Sequence, residues 1–342
     1  MVISLKKILA MLFLLLGVSA TSACTPATTE YDFYGTVYPV VYLIDAIADG
    51  TGLTASMVPG ITSHQSTTDW SSKEIIGMTK ASLLFYVGAN LDAYVENQID
   101  GVFENLFVEG RLVKIENYVP FIEGVIHDHV DEETTAAVTE PSSLGYDPHF
   151  WVSPKMMIEV AAVILEKMIW AHPEHETAFT ANAATLVANL TALSERFQDA
   201  IDAGTKIMMT STNLYGYLDD TNGDAEGNGF GYGLHTISIS PGYHEEPDQL
   251  TVPQRQAIVD EAILHGIRYI IFEKNASSPL SEAVISALNE AGLAYLVARV
   301  EFNIMSTGPE AGLDYIQVMD ANLAAIITAT EIYSVVTQFI VR

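Results

Sequence analysis

Short runs rich in β-branched and aromatic residues alternate with amphipathic, helix-length stretches along the first half of the chain. Such alternation is typical of βαβ units, which build a mostly parallel sheet covered by helices. The predicted strands are 31–37, 54–58 and 82–87, and the predicted helices are 40–48, 71–79 and 91–105. The first half therefore predicts an α/β lobe.

Two long helical patterns occupy the centre of the chain. The first runs from 153 to about 171 and stops near Pro173, and the second runs over 174–202 before Gly204. A helix over 174–202 is about 43 Å long at about 1.5 Å per residue, which is longer than one small lobe needs. We expect this helix to connect two lobes.

The alternation of strands and helices resumes after the long helix, without visible sequence repetition. The predicted strands are 206–209, 236–240, 268–272 and 294–300, and the predicted helices are 252–265, 280–291 and 313–340. The predicted fold class is α/β, with two lobes that each hold a mostly parallel sheet flanked by helices. Their boundaries are 24–173, 174–204 for the linking helix, and 205–342.

Residues 1–23 have the pattern of a secretory signal, because Lys6 and Lys7 precede an apolar run and then small residues. The run is too short for a membrane-spanning helix. Cys24, the only cysteine of the chain, follows directly, and its position indicates attachment to a lipid. The alternative is ordinary signal cleavage after Ala23. We expect an exported protein in the periplasm or at the cell surface, anchored to the membrane through Cys24.

Composition narrows the function classes. A chain of 342 residues that is 49% hydrophobic has enough apolar material for two cores, and its single cysteine at the start excludes internal disulfides. The formal net charge of −28 argues against nucleic acid, because phosphates would be repelled. This charge is compatible with a cationic ligand.

A Gly- and Asp-rich insertion covers 219–233, and its oxygen-bearing side chains alternate as in a calcium-binding loop. Position six of such a loop is Gly and position twelve is Glu, whereas this segment has Ala225 and no such Glu. We interpret the insertion as a solvated loop and leave calcium binding open.

Enzyme signatures are missing from the sequence. It has no GxSxG nucleophile elbow, no GxxxxGK[ST] phosphate loop and no HExxH zinc helix. The glycines of GNGFGYG do not lie between a predicted strand and a helix, so they are not a dinucleotide fingerprint. We therefore do not expect an enzyme.

Two histidines lie in loops where ligands of α/β folds collect, after the carboxyl ends of strands. His64 follows the predicted strand that ends at Val58, and His149 lies in the segment YDPHFWVSP. Asp147 is placed to accept the second N–H of the His149 imidazole, an arrangement that orients metal-binding histidines. Together they predict a metal site.

These segments resemble the zinc- and manganese-binding solute-binding proteins of ABC importers and the related lipoprotein adhesins. The stretch DPHFWVSPKMM looks like the family's Asp-Pro-His-Phe-Trp-x-x-Pro segment, and the stretch from His64 to KASLLFYVGANLD matches its first histidine, helix and strand. The segments SPGYHEEPDQLTVPQ and IIFEKNASSPLSEAV resemble later parts of the family. The acidic loop 127–143, with His127 and His129 at its entrance, occupies the place of the His-containing loop of zinc-type members.

The resemblance implies a metal in a cleft between the lobes, which one rigid helix joins, with two ligands from each lobe. His64 and His149 are the implied ligands of the first lobe. In the second lobe, Thr212 matches a ligand that is His or Glu in the family, and Glu301 aligns with an Asp ligand.

Thr212 departs from the family, because a neutral hydroxyl is a poor ligand for zinc. A water, Asn213, His235 or His244 is therefore expected to fill the open position. We expect the insertion to fold over the cleft and bring His235 to the metal.

The function implied by the resemblance is capture of a divalent transition metal for the membrane permease of an ABC importer, by a monomer. Imidazole-rich capture by His127 and His129 favours zinc over manganese. Two alternatives stay open. A zinc hydrolase also holds its metal with three ligands and an open position, and Thr212 keeps open a degenerate family member that acts as an adhesin.

Overall fold

The computed structural model describes residues 30–61, 68–123, 145–219, 230–240, 250–308 and 312–332. Five residues of the sequence predictions lie outside these ranges, namely Cys24, His64, His127, His129 and His244. Residues Tyr31–Arg342 form one compact unit.

Two four-stranded parallel sheets are formed, one in each half of the chain. The first has the order β2-β1-β3-β4 and the second has the order β6-β5-β7-β8. Their strands are β1 (Phe33–Gly35), β2 (Ala55–Met57), β3 (Leu83–Tyr86), β4 (Leu112–Lys114), β5 (Ile207–Thr210), β6 (His235–Ser238), β7 (Tyr269–Glu273) and β8 (Ala298–Phe302). All named pairs are parallel, which confirms the prediction. Strand β4 was not predicted from the sequence.

Helices flank both sheets. Within the described residues the α-helices are α1 (Tyr38–Ala48), α2 (Ser72–Lys80), α3 (Ala93–Glu96), α4 (Glu104–Val108), α5 (Pro154–Ala171), α6 (Glu176–Ala203), α7 (Val252–Leu264), α8 (Pro279–Glu290) and α9 (Tyr315–Ala329). Capping boxes fix the first residue of several of these helices. In α9, for example, the Asp314 side chain accepts from the backbone N–H of Gln317 while the Gln317 side chain accepts from that of Asp314.

The helix predicted over 91–105 is wrong, and the helix predicted over 313–340 ends at Ala329. The segment 91–105 forms two short helices, α3 and α4, separated by turns in which Gly101 N–H donates to the carbonyl of Gln98. Glycine weakens a helix interior, and the turn lets Phe103 fold back onto the cluster that holds Tyr94. Burial of aromatic side chains therefore overrides the local helical pattern.

Helix α6 is the predicted long connector. Its 28 residues give a length of about 42 Å at about 1.5 Å per residue. It packs against α1 and α5 from the first half and against α9 from the second. The two sheets therefore belong to two α/β lobes that this helix joins, as predicted.

The largest hydrophobic core is continuous across the lobes, since it includes Phe33 of the first sheet, Leu190 of α6 and Phe302 of the second sheet. Two smaller clusters lie under α2–α4 and between the second sheet and α7–α8. Hydrogen bonds also cross between the lobes: Trp151 Nε1 donates to the Ile304 carbonyl (2.6 Å), and the Tyr315 hydroxyl donates to the Trp151 carbonyl (2.8 Å). A shared core restricts the lobes to small relative motions. No helix of the described ranges has both the length and the apolarity needed to cross a bilayer.

Candidate metal centre

His149 lies on the segment that leads into α5, directly before a 3₁₀ turn at Phe150–Val152. Its side chain is fully buried, and so is that of Asp147. The imidazole Nδ1 is 2.7 Å from Asp147 Oδ1, which also accepts the backbone N–H of His149 at 2.8 Å. The predicted pairing of this carboxylate with the imidazole is therefore present.

Burial controls the ionisation of this pair. It lowers the pKa of the His149 imidazole far below its usual value and raises that of the Asp147 carboxyl. The imidazole is therefore neutral at physiological pH, which is the form that binds a metal. Because Nδ1 contacts Asp147, a metal held by this imidazole would be bound through Nε2.

Tyr217 of the second lobe holds this segment in place. Its buried hydroxyl donates to the Asp147 carbonyl (2.7 Å) and accepts the backbone N–H of Ile122 (3.3 Å). The Asp147 N–H in turn donates to the Ile122 carbonyl (2.9 Å). A single phenol therefore connects both sides of the loop base next to His149, a contact that the sequence did not reveal.

Thr212 lies just beyond the carboxyl end of β5 and is only 8% exposed. Its carbonyl accepts the Thr210 hydroxyl at 2.9 Å. Its own hydroxyl has no hydrogen-bond partner within the described ranges, and neither has the hydroxyl of Tyr215. The following 3₁₀ turn, Gly216–Leu218, packs against the turn after His149. The turn that follows Thr212 therefore meets the turn that follows His149, and Asn213, the residue after Thr212, is also buried.

Glu301 lies on the face of the second sheet that points away from the main core. Its side chain is 45% exposed and pairs with Arg299 (2.9 Å), which reaches Glu282 of α8 (3.4 Å). Side chains of a strand alternate between faces, and the next residue, Phe302, points into the main core and packs edge-on against Tyr215. The geometry therefore does not bring Glu301 to the face on which Tyr215 lies.

His235 lies at the end of the second sheet where the strands begin, whereas Thr212 lies just beyond the end where β5 finishes. It is the first residue of β6 and aligns with Ile207, the first residue of β5. Thr212 is five residues further along, about 16 Å at about 3.3 Å per residue. The His235 side chain is 53% exposed, with Nδ1 3.8 Å from Asp219 Oδ2. This placement separates it from the position that we expected it to fill.

The remaining predicted ligand of the first lobe, His64, is outside the described residues. The last described residue before it is Ile61. Ile61 lines a small cavity with Asp92 of the first lobe and Ser306 of the second. Ile61 thus lies at the junction of the lobes. Among the residues that the structure describes, no cluster of three or more His, Cys, Asp or Glu side chains could hold a metal.

Comparisons with known proteins agree with the fold. The family model of the periplasmic component A of the zinc-uptake complex (ZnuA) matches residues 34–329. The zinc-binding protein AdcA of Streptococcus pyogenes is 28% identical over 306 residues, which are 87% of this chain and 55% of that protein. The high-affinity zinc uptake system protein ZnuA of Bacillus subtilis is 23% identical over 297 residues, which are 85% of each chain. The chain thus spans about half the length of the AdcA proteins that it matches.

Solved structures share the two-lobed fold. The Zn(II)-bound ZnuA-like domain of Streptococcus pneumoniae AdcA has a TM-score of 0.62 at 20% identity, over 89% of this chain and 100% of that domain. A crystal structure of ZnuA has a TM-score of 0.64 at 16% identity, over 88% and 99% of the two chains. At these identities the likeness concerns the fold alone. Because the family model covers nearly the whole chain after the predicted signal, the protein belongs to the family of the periplasmic component A of zinc-uptake complexes.

Proposed function

We propose that this protein captures zinc outside the cytoplasm and delivers it to the membrane permease of an ABC importer, and that it is not an enzyme. The observation that carries the proposal is the buried, neutral His149 imidazole, which Asp147 orients beside the junction of two lobes. Family membership and the zinc-binding names of the relatives support zinc as the cargo, with manganese as the alternative.

The proposed nitrogen ligands are His149 and His64. Ile61, three residues before His64 in the sequence, lines the cavity at the lobe junction, and this supports the proposal. Thr212 is retained as the second-lobe candidate, because it lies just beyond the carboxyl end of β5 and precedes the turn Gly216–Leu218 that packs against the turn after His149. We further propose the lobe boundaries predicted from the sequence, a monomeric state, and anchoring through Cys24; one relative is named a zinc-binding lipoprotein.

The test is zinc binding by the purified protein, measured by competition with a chromogenic chelator and by metal analysis. We expect about one tightly bound zinc per chain, and loss of that binding in His149→Ala. His235→Ala is the matched control, because it removes an imidazole at the start of strand β6, at the end of the sheet away from Thr212. Unchanged zinc affinity in His149→Ala, or equal losses in the two variants, would contradict the proposal.

A further inference from the structure

The chain segment that carries His149 is held by hydrogen bonds from the second lobe. Two phenols of that lobe contact its backbone. The Tyr217 hydroxyl donates to the Asp147 carbonyl at 2.7 Å, and the Tyr315 hydroxyl donates to the Trp151 carbonyl at 2.8 Å. Both phenols are fully buried, so water does not compete for these bonds. The second lobe therefore fixes the backbone on either side of the histidine.

Helix α5, which follows this segment, also receives its cap from the second lobe. The first N–H groups of a helix have no partner within the helix, and the side chain of the N-cap residue usually accepts one of them. The N-cap residue of α5, Ser153, makes no such bond, and the first helical residue, Pro154, has no N–H. The next N–H, that of Lys155, donates to the Tyr232 hydroxyl at 3.2 Å. A phenol of the other lobe therefore replaces the usual N-cap side chain.

Further contacts hold Tyr232 and the two residues before it against the start of α5. The Ser153 hydroxyl donates to the Phe230 carbonyl at 3.4 Å. The Lys155 ammonium donates to the Gly231 carbonyl and lies 4.1 Å from the centre of the Tyr232 ring. Tyr232 is 1% exposed, and burial raises its pKa to about 12, so the phenol keeps its proton. The end of the Gly- and Asp-rich insertion is therefore docked on the start of α5.

We propose that Tyr232 is a positioning residue for zinc binding, because it fixes the start of α5 and thereby the place of the His149 imidazole. Together with Tyr217 and Tyr315 it attaches the segment 147–155 to the second lobe through protein groups alone. His149 is thus positioned by the second lobe, although it belongs to the first lobe in sequence. This inference rests on the proposed function, and it adds a group that does not touch the metal to the determinants of zinc affinity.

The size of the effect follows from the demands of a metal–imidazole bond. Metal–ligand distances vary by only about 0.2 Å, and removal of a group that directly orients a ligand usually lowers metal affinity about tenfold to hundredfold. Tyr232 acts on the backbone rather than on the imidazole, so a smaller effect is expected. Loss of its hydroxyl leaves the Lys155 N–H without this partner and loosens the first turn of α5 together with the 3₁₀ turn before it.

The experiment compares two variants that act on the same phenol. Tyr232→Phe removes both of its hydrogen bonds, whereas Ser194→Ala removes only the 3.0 Å bond to α6 and leaves the bond from Lys155. Zinc dissociation constants are measured by chelator competition far below the melting temperature, where every variant is folded and a loss of stability alone does not change the constant. We expect Tyr232→Phe to raise the dissociation constant about threefold to tenfold and Ser194→Ala to change it less than about twofold.

The absorption spectrum of the cobalt-loaded protein gives a second measurement. The d–d bands of Co²⁺ depend on the arrangement of its ligands, so they report on the position of the imidazole rather than on the stability of the fold. Tyr232→Phe should shift these bands or change their intensity, and Ser194→Ala should leave them as in the wild type.

Each outcome decides the matter. A Tyr232→Phe variant with the zinc affinity and cobalt spectrum of the wild type overturns the inference. An equal change in Ser194→Ala also overturns it, because the contact with α6 would then be responsible. A wild type that binds no zinc refutes the proposed function instead, which is a different result. If Tyr232→Phe does not fold, Tyr315→Phe removes a single donor to the same segment, and unchanged zinc affinity in that folded variant overturns the inference.

Discussion

Removal of one phenolic oxygen, in Tyr217→Phe, tests the contact that joins the second lobe to the His149 segment. The Tyr217 hydroxyl is buried and serves two backbone groups, the Asp147 carbonyl at 2.7 Å and the Ile122 N–H at 3.3 Å. Phenylalanine keeps the ring and its packing on Phe121. The substitution therefore isolates the hydrogen bonds.

The expected cost follows from the two groups that lose their partner. A buried backbone group left without its hydrogen bond costs about 1–3 kcal/mol, and the longer contact to Ile122 belongs at the low end. The free energy of unfolding should fall by about 2–4 kcal/mol. For a protein of this size, with an unfolding entropy of about 2.1 cal/mol/K per residue, such a loss lowers the melting temperature by about 3–6 °C.

The assay is urea unfolding of the zinc-free protein, followed by circular dichroism. The transition midpoint should fall while the dependence on urea stays the same, because the fold and its buried surface are unchanged. Tyr215→Phe is the matched control. Its hydroxyl has no hydrogen-bond partner within the described residues, so the zinc-free variant should be as stable as the wild type or slightly more stable. Equal midpoints for Tyr217→Phe and Tyr215→Phe would refute the reasoning.

Three further outcomes are expected. Burial raises the pKa of the Asp92 carboxyl to about 6, against an opposing hydrogen bond from the Gly88 N–H; the folded state thus holds the proton more tightly, and stability falls as pH rises from about 4 to 6. Between pH 4 and 7 the free energy of unfolding of the wild type, measured with urea, should fall by up to about 3 kcal/mol relative to that of Asp92→Asn, since one pKa unit is about 1.4 kcal/mol. Parallel pH profiles of the two proteins would show that Asp92 does not cause the loss. Thr212→His should tighten zinc binding at least tenfold in chelator competition, because it adds an imidazole at the position that matches the family's His or Glu ligand. A weaker complex would show that the position does not face the metal. Finally, Arg196→Met removes the half-exposed ion pair between Arg196 of α6 and Asp320 of α9 (2.5 Å). The free energy of unfolding should fall by less than about 1 kcal/mol, and the difference from the wild type should vanish at high salt. A larger loss would mean that this pair joins the lobes.

The amino-acid sequence by itself determined the local elements and one contact of the candidate site, between His149 and Asp147. The periods of 2 and 3.6 residues in the apolar pattern predict the parallel strands and the 28-residue helix α6 within a few residues of their observed ends. The pairing of Asp147 with His149 was also predictable, because only Pro148 separates them and the contact is local. Local periodicity and short-range chemistry need no knowledge of distant contacts.

Only the tertiary structure decided which side chains of the second sheet point into the main core. The strand predicted over 294–300 is in fact Ala298–Phe302, and a shift of one residue exchanges the two faces of a strand. Glu301 therefore shares an exposed face with Arg299, whereas Phe302 points into the main core, and a predicted boundary that is uncertain by several residues cannot supply this assignment. The sequence distance between His235 and Thr212 was equally misleading, because parallel pairing with β5 returns His235 to the start of the sheet. Tyr217 acts across about 70 residues of chain, and such contacts arise only when packing brings the two lobes together.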